Sequence, residues 1–163
     1  MGGTAMRTSR RTLAVLDVEN LLGVSPARAD EQDYQHAVHR FAAAAGIGRT
    51  DHLVVASAPR GAAAFGVRAA WPPAVMHTRS GIDGADIALG RTLADLDTIL
   101  RCNDKVIIGS GDHYFTEAVI ALRSKGVPTI VVSWPDRLSR QLREAAPETR
   151  LLTDQPSQYA LAA

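Results

Sequence analysis

The fold class is indicated by the stretch KVIIGSGD at residues 105–112, where three apolar β-branched residues run into a Gly-Ser-Gly turn and an acid. A strand that is apolar at every position is typical of a parallel sheet covered on both faces, and the run Ile130–Val132 has the same character. Sites in open parallel sheets form where strands reach their carboxyl ends. Asp112 therefore stands where a functional residue is expected.

Outward from this stretch, short apolar runs alternate with longer helical patterns. The predicted strands are Thr12–Val18, His52–Ser57, Ala74–His77, Lys105–Gly109, Pro128–Ser133 and Thr149–Leu152. The predicted helices are Ala29–Ala45, Gly61–Arg68, Gly84–Arg101, His113–Lys125 and Leu138–Ala145. This alternation is typical of βαβ units, so it predicts a three-layer α/β fold with a mostly parallel sheet.

Composition narrows the function classes. The chain has 163 residues, a length that suits one domain. Its formal net charge is only +1, so the overall charge does not indicate a strongly basic surface that binds nucleic acid. The single Cys102 excludes an internal disulfide and a cysteine zinc cluster, and it suits a reducing cytoplasm. No apolar run approaches the ~20 residues of a membrane span. We expect a cytoplasmic domain over residues 12–153, a disordered basic arm at 1–11, a loose tail at 154–163 and no membrane partner.

Three acids fall near the carboxyl ends of the predicted strands or in the loops above them. Asp17 closes the first strand, Asp112 follows Gly109 by three residues, and Asp86 lies in the first turn of the long helix. Two carboxylates ~4 Å apart repel by about 4 kcal/mol at an effective dielectric near 20, so such a cluster needs a proton or a cation. Mg²⁺ and Mn²⁺ prefer such oxygen ligands, and they support phosphodiester hydrolysis.

Each acid also has a plainer interpretation, which stays open at this stage. Asp86 would suit the positive end of a helix dipole, Asp17 could bind loop amides, and Asp112 could cap the next helix. Asp83 precedes Gly84 at N-cap spacing, and capping is its favoured role. On one continuous helix Asp95 faces away from Asp86, and Asp97 lies about 16 Å along the axis, so both are excluded from the site.

Several motifs, taken in order, carry a resemblance to a known family. The opening motif of the NYN domain family, whose members are PIN-like proteins associated with RNA processing, resembles the stretch Leu16-Asp17-Val18-Glu19-Asn20. The stretches at 84–89 and 108–115 resemble its second and third motifs, and those at 126–133 and 138–142 resemble its C-terminal half. The resemblance spans roughly Leu13 to Leu152 and implies a PIN-like fold.

The resemblance also implies an activity. It implies that Asp17, Asp86 and Asp112 bind one Mg²⁺ or Mn²⁺ ion, that Asn20 orients an acid or a water, and that Ser110 hydrogen-bonds near the metal. The expected function is a metal-dependent endoribonuclease (a hydrolase) acting on single-stranded or looped RNA and leaving 5′-phosphate and 3′-hydroxyl ends.

Two departures from the family pattern motivate an alternative. Many relatives carry further acids where this chain has Tyr114 and, along the helix, near Thr92. The alternative is a non-catalytic module that binds RNA or protein. A phosphotransferase or phosphatase with Asp17 as nucleophile is a third, disfavoured class. Homo-oligomerisation is left open.

Basic and histidine residues supply further candidates. Arg137, Arg140 and Arg143 recur every third residue and, with Trp134, are interpreted either as an RNA-facing patch or as an ordinary solvated helix. His36 and His39 lack a third ligand nearby in the sequence and are expected on a solvated helix face. His113, beside Asp112, is interpreted either as a residue that approaches substrate phosphate or as one that simply begins a helix, and the second interpretation is favoured.

Overall fold

The computed structural model describes residues 11–153, which form one six-stranded sheet in the order β3-β2-β1-β4-β5-β6 with every neighbouring pair parallel. The strands are β1 (Arg11–Asp17), β2 (His52–Ser57), β3 (Val75–Thr78), β4 (Asn103–Gly109), β5 (Thr129–Ser133) and β6 (Glu148–Leu151). The helices are α1 (Glu31–Ala45), α2 (Gly61–Ala70), α3 (Gly84–Ala94), α4 (Leu96–Cys102), α5 (Thr116–Ser124) and α6 (Arg140–Ala145). A 3₁₀ turn at His113–Phe115 precedes α5.

The sheet is the middle of three layers, because successive side chains of each strand point to opposite faces. Ala14 and Leu16 of β1 pack with α1 and α2 in one core, whereas Leu13 and Val15 pack in a second core with residues of α3 to α6. Burial on both faces explains why the central strands are apolar throughout. The predicted three-layer, parallel α/β fold is confirmed, and the arrangement is consistent with a PIN-like fold.

Local signals set the limits of the first helix. Asp30 accepts the backbone N–H of Asp33 at 3.0 Å, and the Asp33 carboxylate accepts that of Asp30 at 3.0 Å. This reciprocal capping box begins α1 two residues later than the sequence predicts. Gly46 ends the helix with φ of 69°, a left-handed conformation that glycine adopts without strain.

The predicted helix Gly84–Arg101 is wrong as a single element. The backbone of Asp95 leaves helical geometry at φ −79° and ψ 66°, and its carboxylate accepts the N–H of Thr98 at 3.1 Å. Asp95 thus ends α3 and caps α4, so the helical-wheel argument about Asp95 and Asp97 does not apply. Asp95 stays outside the candidate site for a different reason, namely its capping role.

Other corrections concern ends of elements. The predicted helix His113–Lys125 opens with the 3₁₀ turn, and the remaining boundaries differ only by a residue or two. Arg11, assigned to the N-terminal arm, begins β1. The rest of the predicted arm and the predicted tail at 154–163 lie outside the described residues. Within residues 11–153, no helix has both the length and the apolarity that crossing a bilayer requires.

Candidate functional site

The topology creates a crevice at the carboxyl end of the sheet. From β1 the chain winds outward through β2 and β3, then returns to the other side of β1 as β4. The order therefore reverses between β1 and β4, and such switch points are where parallel sheets bind ligands. The register pairs Leu16 with Gly109, so Asp17 and Ser110 follow side by side at this edge.

Asp17 and Asp86 are buried acids at this crevice. Along β1 the side chain of Asp17 lies on the same sheet face as those of Leu13 and Val15, and α3 packs against that face. Asp86 lies in the first turn of α3. Their exposed fractions are only 9% and 7%. Burial, followed by the negative charge of Asp86, raises the pKa of Asp17 to about 7, although a hydrogen bond from Asn20 opposes the rise. Burial and then the charge of Asp112 raise the pKa of Asp86 to about 6.

Asp112 is the third acid of the group and is half-buried. Its Oδ1 accepts the backbone N–H of Tyr114 at 2.8 Å and lies 3.1 Å from Nδ1 of the exposed His113. The charge of Asp112 contributes to the raised pKa of both Asp17 and Asp86. The structure therefore brings the three predicted acids into one electrostatically coupled group.

Asn20 and Ser110 position the backbone around Asp17 and Asp112. The Asn20 N–H donates to Asp17 Oδ1 at 3.3 Å, and the Asn20 amide oxygen accepts the N–H of Gly111 at 2.9 Å. The fully buried Ser110 accepts the N–H of Asp112 through Oγ at 3.2 Å. Gly111 has no room for a side chain, since a Cβ would overlap the carbonyl oxygen of Arg137. Asn20 and Ser110 thus contact an acid or its backbone, which suits the supporting roles predicted for them.

The three carboxylates are of a type that suits a hard divalent cation. Their side chains, as positioned, do not form a complete set of ligands for one ion. Asp86 Oδ1 is buried without a hydrogen-bond partner, and no Lys or Arg of residues 11–153 forms a salt bridge with the three acids. In that same part of the chain, no three or more His, Cys, Asp or Glu side chains are arranged so that they could hold a metal ion. An ion shared by all three acids would therefore be held partly through water, which Mg²⁺ commonly retains, or after a side-chain rotation.

Comparison with known proteins supports the fold. No protein-family model matches this chain, and neither does any curated protein. The chain is similar to VPA0982 of Vibrio parahaemolyticus, a protein of unknown function seen in a crystal structure, with a TM-score of 0.60 and 16% identity. The similarity covers 94% of this chain and 98% of that one. The two proteins therefore share a fold over the whole domain. At this sequence identity the similarity gives no information on activity.

Glu19 is a site residue that the sequence analysis did not select. Because β1 ends at Asp17, Glu19 lies in the turn that follows the strand. Its carboxylate pairs with Arg60 Nε at 3.3 Å, and its charge contributes to the raised pKa of Asp17. The one sequence signal that could have identified Glu19 as a site residue was its position in the Leu16–Asn20 motif.

The predicted arginine patch does not form a single helix face. Arg137 lies in the turn before α6, and its guanidinium donates to the carbonyl oxygen of Asn20 at 2.6 Å. Arg140 pairs with Glu144 at 2.7 Å on the exposed side of α6, and Arg143 is also exposed. Trp134, proposed to face RNA with them, is 8% exposed and donates its indole N–H to the Leu21 carbonyl at 3.1 Å. The interpretation of Trp134 as part of an RNA-facing patch is wrong, since the ring is buried.

Two smaller predictions have mixed outcomes. Asp83 occupies the N-cap position of α3, but its φ of 58° is left-handed and its side chain makes no capping hydrogen bond, so the predicted capping role is wrong. Its charge instead contributes to the raised pKa of Asp86. His36 and His39 are exposed on α1, as expected of a solvated helix face.

Proposed function

We propose that this protein is a cytoplasmic, metal-dependent endoribonuclease that hydrolyses phosphodiester bonds of single-stranded or looped RNA. The observation that carries the proposal is the coupling of Asp17, Asp86 and Asp112 at the switch point, with the two buried acids at strongly raised pKa. Such a group is costly to ionise unless positive charge is added, because the two buried carboxylates are desolvated and lie within reach of other negative charges. A hard divalent cation and a phosphodiester are the partners that this site suits.

The three acids would hold one Mg²⁺ or Mn²⁺ ion. When bound, such an ion supplies a hydroxide-like water and offsets the charge that develops on the phosphate. Asn20 and Ser110 act on the protein side: Asn20 joins the turn after Asp17 to the loop that carries Asp112, and Ser110 fixes the backbone of Asp112 within that loop. In the overall reaction a water oxygen bonds to phosphorus, and the bond from phosphorus to the 3′ oxygen breaks. The products carry 5′-phosphate and 3′-hydroxyl ends.

The alternative, a non-catalytic RNA- or protein-binding module, is favoured by one specific observation. Tyr114, at a position where many relatives of the NYN family carry an acid, is 44% exposed, and its ring lies against Gly90 of α3. Gly90 is one helical turn beyond Asp86, so this flank of the site presents a phenol and not a further carboxylate. The reduced acidic set supports one metal ion better than two.

Cleavage of a labelled RNA strand distinguishes the two functions. Wild type should cut oligouridine in Mn²⁺ or Mg²⁺ and stop when a chelator is added, while Asp86→Asn should lose most of the rate. Asp97→Asn is the matched control, since it removes one acidic charge from the exposed surface of α4. Cleavage that survives in Asp86→Asn would contradict the proposed site, and binding without cleavage by wild type would favour the alternative.

A further inference from the structure

A second surface feature lies on the other side of α3 from Tyr114. It is a groove of about 670 Å³ between the sheet and the helices α3 and α4, on the side of the edge strand β3. His52 and His77 share its sheet-side lining, because the register aligns His77 with Ala56 and places both histidines on the sheet face that α3 covers. Arg91 and Thr92 of α3 form its helical wall. We refer to this feature as the β3–α3 groove.

The charges that line the β3–α3 groove favour an anion. Arg79 and Arg91 are exposed, and within residues 11–153 neither guanidinium has a salt bridge or a hydrogen bond. Among the described lining residues the one acid is Asp95, which accepts the Thr98 N–H at 3.1 Å and keeps its negative charge, so two guanidinium groups stand against one carboxylate. The guanidinium groups therefore offer unused donors in a geometry that matches phosphate oxygens.

The groove begins beside the candidate active site. Arg79 follows β3, and its backbone N–H donates to the Ser57 carbonyl at 3.2 Å. The Arg79 backbone also packs tightly on Gly84, where a Cβ would overlap the Arg79 carbonyl oxygen. Asp86 lies in the same first turn of the helix. Because its lining residues on this helix run from Ala88 to the end residue Asp95, the groove follows α3 for about 10 Å, which is enough for a short stretch of a single strand.

We propose that the β3–α3 groove binds the phosphate backbone of a single RNA strand and delivers it to the acids at the carboxyl edge of the sheet. Its volume falls in the range of small-ligand clefts, which suits one strand better than a duplex. None of the described lining residues is Phe, Tyr or Trp, so the groove recognises phosphates more than bases and tolerates different sequences. This inference rests on the proposed function for its substrate, but the binding step needs no metal and can be measured apart from cleavage.

The test compares two double variants that lose the same charge. Arg79→Ala with Arg91→Ala removes both groove cations, whereas Arg68→Ala with Arg123→Ala removes two exposed arginines from α2 and α5. Binding of a labelled oligouridine strand is measured by fluorescence anisotropy in chelator over a salt series. For the groove variant we expect about tenfold weaker binding at low salt and a salt dependence flatter by about 1.4, since each phosphate contact on a single strand contributes about 0.7. The control should bind nearly as wild type.

The outcomes separate this inference from the proposed function. Loss of affinity in the groove variant alone supports the groove, even if wild type proves unable to cleave RNA. Equal affinity of the two variants overturns the groove, even if wild type cleaves RNA in a metal-dependent way. A wild-type protein that does not bind the strand also overturns it. Thermal melting of both variants checks that they are folded, which is expected because all four side chains are exposed.

Discussion

The side-chain amide of Asn20 accepts a hydrogen bond from the backbone of Gly111 at 2.9 Å, across 91 residues of sequence. This bond joins the turn that follows Asp17 at the end of β1 to the loop after β4, which carries Asp112. The Asn20 N–H also donates to Asp17, and its carbonyl oxygen accepts from Arg137. One polar residue thereby sets the spacing of the crevice, because its three polar groups bind three different partners.

Replacing Asn20 tests this role. Asn20→Ala leaves the Gly111 N–H without an acceptor in a partly buried position, so we expect a loss of about 1–3 kcal/mol in the free energy of unfolding. Urea denaturation measures it. Asn20→Asp keeps an acceptor for Gly111 and should recover much of this loss in the metal-bound protein, whereas in chelator its added charge beside Asp17 should be unfavourable. Equal stability of Asn20→Ala and wild type would contradict the bridging role.

The raised pKa values of Asp17 and Asp86 predict how metal-free stability depends on pH. Between the ordinary value of 3.8 and the folded values of about 7 and about 6, the folded state binds more protons than the unfolded state. The stability from these two groups is therefore fully present below pH ~4 and is lost as pH rises through the folded pKa values. Asp17→Asn should flatten this decline. Chemical denaturation in chelator from pH 4 to pH 8 measures it, and a wild-type profile parallel to that of the variant would contradict the assignment.

A bound divalent cation should offset the stability that the ionised acids lose at neutral pH. Mg²⁺ or Mn²⁺ should raise the melting temperature, because a ligand that binds only the native state stabilises it by about 2.7 kcal/mol at 100 times its Kd. Asp112→Asn should blunt the response while it raises metal-free stability, since one of three repelling charges disappears. Differential scanning calorimetry with and without Mn²⁺ measures both effects. A melting curve that does not respond to millimolar Mn²⁺ would favour the non-catalytic alternative.

Chemistry and binding should respond to different substitutions. Asp112→Asn should lower RNA cleavage steeply and leave RNA affinity in metal-free buffer nearly unchanged, because it removes a proposed ligand but little volume. If Asp112→Asn cleaves as fast as wild type at saturating metal, Asp112 does not bind the catalytic ion.

The three arginines in and near α6 should differ in how much their replacement lowers stability. Arg137→Ala should lower stability by about 1–2 kcal/mol, because it removes charge-assisted hydrogen bonds to the loop carbonyls of Glu19 and Asn20. Arg140→Ala with Arg143→Ala should leave stability within about 0.5 kcal/mol, since both side chains are exposed. If RNA affinity falls in the Arg140 and Arg143 variant, the patch on α6 contributes to binding after all; unchanged affinity leaves an ordinary solvated helix.

Much of the fold was predictable because local pattern and burial agree. Each of the six strands is near its predicted place, and His52–Ser57 has the predicted limits. An apolar run bounded by polar turns can form a buried strand with little competition from other structures. The break at Asp95 was not predictable in this way, because aspartate can lie on a helix surface or cap a new helix, and the local sequence pattern is compatible with both.

The sequence by itself determined the parallel α/β class and the placement of Asp17 at one strand end and of Asp112 just beyond another, since periodicity and chain order need only neighbouring residues. Only the tertiary structure decided that Asp17 and Asp86 are buried together, that Trp134 points inward, and that Arg137 binds backbone carbonyls. Burial, pKa and hydrogen-bond partners depend on groups far apart in the chain, and the free energies involved arise only when those groups share one environment.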